Sequence, residues 1–259
     1  MNRTIRLVKE FFSALFLYEN FWTYYFSRVG WSRSEKLVIK LRNGLKYLIN
    51  TKTNQIIVLC EIWNSRIYDN LKNFVHDQSI VIDIGANIGV FSIRATHFAK
   101  NVKVISYEPF PQNFDILREN IKINFLDNLV FPQQKAVAGK RGELELFFSP
   151  NDSGDVSLYQ QENKGHSGSI KVPSITLEDV FLENNIEVCD FLKVDCEGAE
   201  EEILLNTPKS IFERTRSITL EWHYNLNKMK IEEFRSFLEE VGYETKYNPS
   251  TLMLYAWRK

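Results

Sequence analysis

An acidic residue and two glycines lie where a predicted strand meets a predicted helix. Asp83 falls in the apolar run 80–84, and Gly85 and Gly89 precede the helix-like segment 90–98. In open α/β sheets, ligands bind beyond the carboxyl ends of the strands. Glycine lets a ligand approach the backbone closely, and the carboxylate of Asp83 can hold an ammonium or hydroxyl group. The alternative is a tight turn in which Asp83 only caps the helix.

A second carboxylate, Glu108, comes 25 residues after Asp83 and directly follows the predicted strand 102–107. In dinucleotide-binding folds, a carboxylate at this place accepts hydrogen bonds from the hydroxyl groups of a ribose. The two acidic residues together indicate a cofactor that contains a nucleoside.

The glycine spacing distinguishes between two such cofactors. The dinucleotide fingerprint requires glycine at the third and sixth positions counted from Gly85, where this chain has Asn87 and Val90. S-adenosylmethionine has no phosphate groups, and its ammonium group suits a carboxylate-rich loop. We therefore predict S-adenosylmethionine as the cofactor rather than NAD.

Polar residues around a third predicted strand, 191–194, could act on a methyl acceptor. Asp195 and Glu197 follow this strand, and Lys193 interrupts its apolar run. A hydroxyl group is a poor nucleophile until a base or a metal removes its proton. A buried Lys193 would require a carboxylate partner. The alternative is that Asp195 caps the next helix.

His223 follows the predicted strand 217–221 and could reach the same pocket as a general base, although a structural role is the alternative. Asp195, Glu197 and His223 could also hold a divalent ion, but their spacing does not require one. We predict Lys193, Asp195, Glu197 and His223 as the catalytic residues and predict no metal site.

The elements that must position these residues alternate between apolar strands and amphipathic helices. This alternation predicts an α/β fold with a Rossmann-like, doubly wound and mostly parallel sheet. Its predicted strands are 80–84, 102–107, 130–136, 191–194 and 217–221, and its predicted helices are 90–98, 113–124, 199–205 and 231–241.

Two further strand pairs are predicted outside this alternation. Segments 143–148 and 170–175 are separated by the polar stretch 149–169, which we expect to form a mobile lid over the acceptor or an unstructured connector. Segments 243–247 and 252–257 form a C-terminal hairpin.

The N-terminal part is predicted as an appendage, residues 1–75, on a cofactor-binding domain, residues 76–259. It comprises an aromatic helix, a hairpin around Asn43-Gly44 and a helix over 56–71. Ten of the 35 aromatic residues lie between Phe11 and Trp31. The helix could dock on the main domain, pair with a second subunit in a homodimer, or lie on an anionic membrane through residues 5–31. Its apolar run is too short to span a bilayer.

Charge and cysteine content exclude several classes of protein. The 32 Lys and Arg residues against 33 Asp and Glu leave a net charge of −1, which disfavours a general nucleic-acid binder. The three cysteines lack metal-ligand spacing and cannot pair evenly, so we expect a reducing, cytoplasmic location, with peripheral membrane contact as an addition.

With these motifs in view, the segment from about Glu61 to Tyr224 resembles the FkbM family of S-adenosylmethionine-dependent methyltransferases. The resemblance rests on residues 83–89, 107–109, 176–179, 192–200 and 221–223. It implies a class I methyltransferase fold with a reversed last strand. It also implies that Asp83, Gly85, Asn87 and Gly89 line the methionine end of the donor, that Glu108 holds the ribose, and that Ala136 and Val137 flank the adenine. Departures from the family pattern are Cys196 and Glu178.

The resulting expectation is an O-methyltransferase that acts on a hydroxyl group of a carbohydrate, a glycan or another small or lipid-linked metabolite. The alternatives are N-methylation of an amine, with Asp195 and Glu197 binding the cation, and a non-catalytic nucleotide-binding scaffold.

Overall fold

The computed structural model describes residues 3–149, 152–157, 167–224 and 226–258. The strands in this part of the chain are β1 (Lys36–Lys40), β2 (Lys46–Asn50), β3 (Ile80–Ile84), β4 (Lys103–Tyr107), β5 (Val130–Gln133), β6 (Ala136–Val137), β7 (Gly142–Ser149), β8 (Asp152–Ser157), β9 (Gly168–Ile175), β10 (Phe191–Val194), β11 (Ser217–Glu221), β12 (Glu244–Asn248) and β13 (Met253–Trp257). The α-helices are α1 (Arg3–Leu17), α2 (Phe21–Arg28), α3 (Gln55–Cys60), α4 (Val90–Ala95), α5 (Pro111–Ile123), α6 (Leu177–Glu183), α7 (Glu200–Leu205), α8 (Lys209–Glu213) and α9 (Ile231–Glu240).

Seven strands form the central sheet in the order β12-β13-β11-β10-β3-β4-β5. Neighbours from β11 through β5 run parallel, whereas β13 runs antiparallel to both β11 and β12. The predicted Rossmann-like fold with one reversed C-terminal strand is confirmed. Its central strands are buried on both faces, which explains their nearly continuous apolar sequences.

The register of the central strands determines which side chains meet at the sheet edge. Lys193 on β10 lies opposite Asp83 on β3, and Val194 lies opposite both Ile84 and Leu220. Residues that directly follow β3, β10 and β11 therefore emerge side by side at the carboxyl ends of neighbouring strands.

A second sheet has the strand order β6-β9-β7-β8. The predicted pairing of 143–148 with 170–175 is confirmed, because β7 and β9 pair antiparallel. The stretch 149–169 is not structureless throughout, since β8 lies within it and pairs with β7. Its polar sequence carries no alternating pattern that would have indicated a strand. Residues 158–166 lie outside the described part, so the lid hypothesis stays a prediction there.

The segment after the N-terminal hairpin differs from its prediction. The hairpin β1–β2 forms as expected, with Gly44 at a φ of 93°. The single helix predicted over 56–71 is instead divided into α3, a π-helical turn at Glu61–Ser65 and a 3₁₀ turn at Asp69–Asn73. Arg66 separates the two turns because its backbone adopts a left-handed φ of 56°.

The N-terminal helices share a hydrophobic core with the central sheet. One cluster of buried side chains contains Tyr18 and Tyr24 from α1–α2 together with Val81 and Val104 from the sheet. The domain boundary at residue 76 stays a prediction from the sequence, and residues on both sides of it contribute to this core. No helix in the described ranges is long and apolar enough to cross a membrane.

Candidate functional site

A cavity of about 270 Å³ opens at the carboxyl ends of the central strands. Its polar wall comes from the residues that follow β3, β4, β10 and β11, as the register requires. Its remaining walls come from the segment 58–68 and from the second sheet. The lining residues include Val58, Glu61, Tyr68, Gly85, Asn87, Glu108, Asn113, Ala136, Val137, Leu146, Ser157, Lys193, Asp195, Glu197 and Glu221.

The carboxylate of Glu108 is held at the cavity wall by two backbone N–H groups. Asn87 donates to Oε2 at 2.7 Å and Phe110 donates to Oε1 at 2.9 Å. Burial raises the pKa of Glu108 to about 7, and the two N–H donors offset part of that rise. Each oxygen retains acceptor capacity, so the carboxylate is preorganised to accept hydroxyl groups.

The glycine turn between β3 and α4 has two separate structural tasks. A Cβ atom on Gly85 would lie 1.8 Å from the carbonyl oxygen of Asp195, so only glycine permits this approach of the two loops. Gly89, at a φ of 83°, faces Leu117 of α5 rather than the cavity. Asn87 also has a positive φ, of 51°, and lines the cavity.

Asp83 forms a buried ion pair rather than part of the cavity wall. Lys193 Nζ lies 3.0 Å from Asp83 Oδ1 and donates to the carbonyl of Gly85 at 2.9 Å. Ser92 also donates to the Asp83 carboxylate. The carboxylate partner predicted for Lys193 is therefore present. The contact between Asp83 and the methionine end of the cofactor stays a prediction. In the structure, the partners of the Asp83 carboxylate are Lys193 and Ser92.

Burial lowers the pKa of Lys193, but the charges of Asp83 and Asp195 more than offset this and hold the pKa well above its usual value. Lys193 is thus a fixed cation at the cavity, 3.4 Å from Asp195 Oδ2.

The cavity also offers an apolar wall beside Glu108. Ala136 and Val137 form β6, and Leu146 and Val156 come from the neighbouring strands of the second sheet. The groups that line the cavity fit S-adenosylmethionine. They offer an apolar wall for the adenine, the Glu108 carboxylate for the ribose hydroxyls, and further carboxylates for the cationic methionine end.

Three carboxylates meet where β10 and β11 end. Asp195 and Glu197 follow β10, and Glu221 is the last residue of β11. The hydroxyl of Tyr68 donates to Asp195 Oδ2 at 3.1 Å. Burial and the charge of Asp195 raise the pKa of Glu221 to about 8.

His223 lies between the carboxylates of Glu200 and Glu197. Its Nδ1 is 2.9 Å from Glu200 Oε1, and its Nε2 is 3.8 Å from Glu197 Oε2. Burial lowers the pKa of His223, but Glu200, Glu197 and Asp195 together raise it to about 10. The side chain is then an imidazolium at neutral pH and cannot accept a proton. The general-base role of His223 stays a prediction from the sequence, and the acidic surroundings favour the charged imidazolium.

Glu200 organises this corner of the site. It is fully buried, and its carboxylate accepts the backbone N–H groups of Cys196 and Gly198 in addition to its contact with His223. Glu200 thus fixes both the loop after β10 and the orientation of the imidazole ring.

Possible ligand atoms of Asp195, Glu221 and His223 all lie within 4.8 Å of one another. A divalent ion could use such mixed oxygen and nitrogen ligands. This set differs from the alternative considered from the sequence, because Glu221 replaces Glu197. Methyl transfer measured after chelation tests the prediction that no metal is required.

Three site residues were not predicted. Glu221 enters the sequence prediction only as the last residue of strand 217–221, and its place at the end of a core strand is the signal that could have identified it. Tyr68 and Glu61 come from the N-terminal part, which had been assigned to an appendage. No local motif marks either residue.

The family model described as a methyltransferase FkbM domain matches residues 83–245. The methyltransferase sdnD of Sordaria araneosa is 28% identical over 230 residues, which cover 77% of this chain and 86% of that protein. The 31-O-demethyl-FK506 methyltransferase FkbM of Streptomyces tacrolimicus is 26% identical over 192 residues, covering 63% and 72%. The hexuronic acid methyltransferase AglP of Haloferax volcanii is 24% identical over 151 residues, covering 56% and 59%.

The family match covers more than half of the chain and includes the cavity residues at the ends of β3, β4, β10 and β11. The chain therefore belongs to the FkbM family and is an S-adenosylmethionine-dependent methyltransferase.

Proposed function

We propose that this enzyme methylates a hydroxyl group of a carbohydrate or glycan, or of another small or lipid-linked metabolite. One observation carries the proposal. Asp195, Glu197 and Glu221 converge from two neighbouring strand ends on the same cavity that contains Glu108. The cavity thus combines a ribose-binding carboxylate with groups that can take a proton from an acceptor.

S-adenosylmethionine supplies an activated methyl group on a sulfonium, so the protein's main chemical task is to remove the proton of the acceptor hydroxyl. We assign this task to Glu221. A carboxylate whose pKa is raised to about 8 is a stronger base than an ordinary one. The nearby imidazolium of His223 favours its ionised form.

The other acidic residues would orient the acceptor. Asp195 is fixed by Tyr68 and Lys193, and Glu197 lies beside the imidazole of His223. Lys193 and Glu200 act as positioning residues. Lys193 joins Asp195 to the Gly85 carbonyl after β3, and Glu200 joins the loop after β10 to His223 after β11. His223 is assigned a positioning and electrostatic role instead of the base role.

At the donor end, Glu108 would accept the ribose hydroxyls, Ala136 and Val137 would flank the adenine, and the backbone at Gly85 and Asn87 would face the methionine moiety. Gly89 would act only through the turn it forms before α4.

Two relatives support an oxygen acceptor. One is named for the 31-O position of demethyl-FK506, and another is named for a hexuronic acid, which is a sugar acid.

Methylation of an amine is the second candidate, and the charge of the cavity favours it. Among the described lining residues, Glu61, Glu108, Asp195, Glu197 and Glu221 are acidic, whereas Lys193 is the one basic residue. Such a cavity would also attract a cationic acceptor, with Asp195 and Glu197 binding the ammonium group.

The test separates donor binding from methyl transfer. Glu221→Gln should bind S-adenosylmethionine within about twofold of wild type in calorimetry, because Glu221 lies at the strand end away from β4. Its transfer of labelled methyl into an acceptor-containing extract should fall at least about 100-fold, the usual contribution of a general base. Glu213→Gln, at an exposed position on α8, is the control. Full transfer by Glu221→Gln would overturn the assignment.

A further inference from the structure

The N-terminal helices expose an unusual set of large apolar side chains. Phe16, Trp31, Trp22 and Phe12 are 80%, 73%, 62% and 56% exposed, respectively. Together with the more shielded Phe26 and Val29, they form what we call the aromatic face. Large aromatic side chains at this exposure are costly in water unless they have a binding partner.

The aromatic face is continuous rather than scattered. The ring of Phe26 stacks with those of Trp22 and Trp31, at centroid distances of 6.0 and 6.3 Å. Phe12 and Phe16 lie one helical turn apart on α1, and Phe11 links Phe12 to Tyr25 of α2.

The opposite side of the same helices is fixed to the protein. Ala14, Tyr18 and Tyr24 are buried in the main core, and the Tyr18 hydroxyl donates to Asn64 Oδ1 at 2.7 Å. Glu10 pairs with Arg28 at 3.1 Å and joins α1 to α2. The aromatic face is therefore held outward by a packed scaffold, and no described part of the chain covers it.

The segment that carries the aromatic face is basic. Residues 3–42 contain eight Lys and Arg residues and three Glu residues. Of these cations, Arg33, Lys36, Lys40 and Arg42 are exposed. A basic, aromatic segment of this kind matches the interface of an anionic bilayer, where Trp and Phe lie among the headgroups and cations meet anionic lipids.

We propose that the aromatic face docks the enzyme on the surface of an anionic lipid membrane. A second copy of the chain fits less well, because a twofold interface places the same surface against itself and would oppose two basic regions.

Docking would place the active-site cavity near the membrane. α1 packs on the π-helical turn Glu61–Ser65, and α2 packs on α3. These two segments supply Val58, Glu61 and Ile62 to the cavity wall. If the proposed transfer to a hydroxyl group holds, this position favours a lipid-linked acceptor over a freely diffusing one.

Vesicle sedimentation tests the docking separately from catalysis. The full-length enzyme should sediment with vesicles of equal parts phosphatidylcholine and phosphatidylglycerol, and should sediment much less with phosphatidylcholine alone. The triple variant Phe16→Ser, Trp22→Ser and Trp31→Ser should lose at least about tenfold in partitioning. The matched control is Phe125→Ser, because Phe125 is 85% exposed and lies outside the aromatic face.

Wild type, the triple variant and Phe125→Ser should bind S-adenosylmethionine equally in calorimetry, which would show that the site is folded in each of them. A failure of docking can then be distinguished from a failure of the proposed methyl transfer. Absence of wild-type sedimentation, or equal losses in the triple variant and in Phe125→Ser, would overturn the proposal. A wild-type dimer that becomes a monomer in the triple variant, without vesicle binding, would identify the face as a subunit interface instead.

Discussion

Replacing Lys193 with methionine tests the buried ion pair that joins β3 to β10. The side chains of Lys193 and Asp83 are 3% and 0% exposed, and their charged atoms lie 3.0 Å apart. Lys193→Met retains most of the apolar side-chain volume but leaves the Asp83 carboxylate buried without its cation. Breaking such a pair from one side costs about 3–5 kcal/mol. Against a total unfolding free energy of about 5–15 kcal/mol, this loss is large.

Urea denaturation measures the loss of unfolding free energy in Lys193→Met. If the unfolding free energy falls by about 3 kcal/mol per M of urea, the midpoint should decrease by on the order of 1 M. Lys135→Met is the matched control, because Lys135 pairs with Glu183 at 2.8 Å but both side chains are substantially exposed. This surface pair should contribute no more than about 1 kcal/mol. The double variant Asp83→Asn, Lys193→Met should recover about 1–3 kcal/mol relative to the sum of the single losses. Equal, small losses for Lys193→Met and Lys135→Met would show that the buried pair contributes no more to stability than the surface pair.

Four further predictions concern the site. Glu108→Gln should weaken donor binding about 10- to 100-fold in calorimetry, since hydrogen bonds to a charged group contribute about 1.5–3 kcal/mol; unchanged affinity would exclude Glu108 as the ribose ligand. The transfer rate at saturating donor should rise with pH, because Glu221 must be ionised to act as the base. The midpoint should lie at or below pH 8, since the cationic donor lowers the pKa of Glu221 from the donor-free value of about 8. A rate that falls between pH 6 and 8 would contradict the assignment. His223→Gln should lower turnover and leave donor affinity nearly unchanged. The pKa of His223 in the folded protein is raised to about 10, so its stabilising contribution is complete below about pH 6.5 and decreases as the pH rises towards 10. The difference in unfolding free energy between wild type and His223→Gln should therefore shrink over that range. A constant difference would show that the histidine is neutral. Chelation with EDTA should leave transfer intact, and loss of transfer that Mg²⁺ restores would assign a metal to Asp195, Glu221 and His223.

The sheet was predictable because local patterns determine it. The bounds of β3, β10 and β11 agree with their apolar runs. A lysine within the apolar run of β10 predicts a carboxylate partner, and Asp83 lies opposite Lys193 in the sheet. The helix α6 was missed, although the capping box of Thr176 and Asp179 at its start was a readable signal.

The remaining features depend on contacts that are distant in sequence. The pKa of His223 is raised chiefly by Glu200, which lies 23 residues earlier and is fully buried. Tyr68 reaches Asp195 across 127 residues. The division of the segment 56–71 depends on the left-handed backbone of Arg66, which its residue type does not indicate.

The atom to which the enzyme attaches the methyl group distinguishes a hydroxyl acceptor from an amine acceptor. The enzyme would be incubated with S-adenosylmethionine carrying a ¹³C-labelled methyl group and with a lipid and glycan extract, and the product would be examined by NMR. We expect a methyl signal with the chemical shift of an O–CH₃ ether, formed by wild type and Glu213→Gln and lost in Glu221→Gln. An N–CH₃ signal would contradict the proposed hydroxyl acceptor and support the amine.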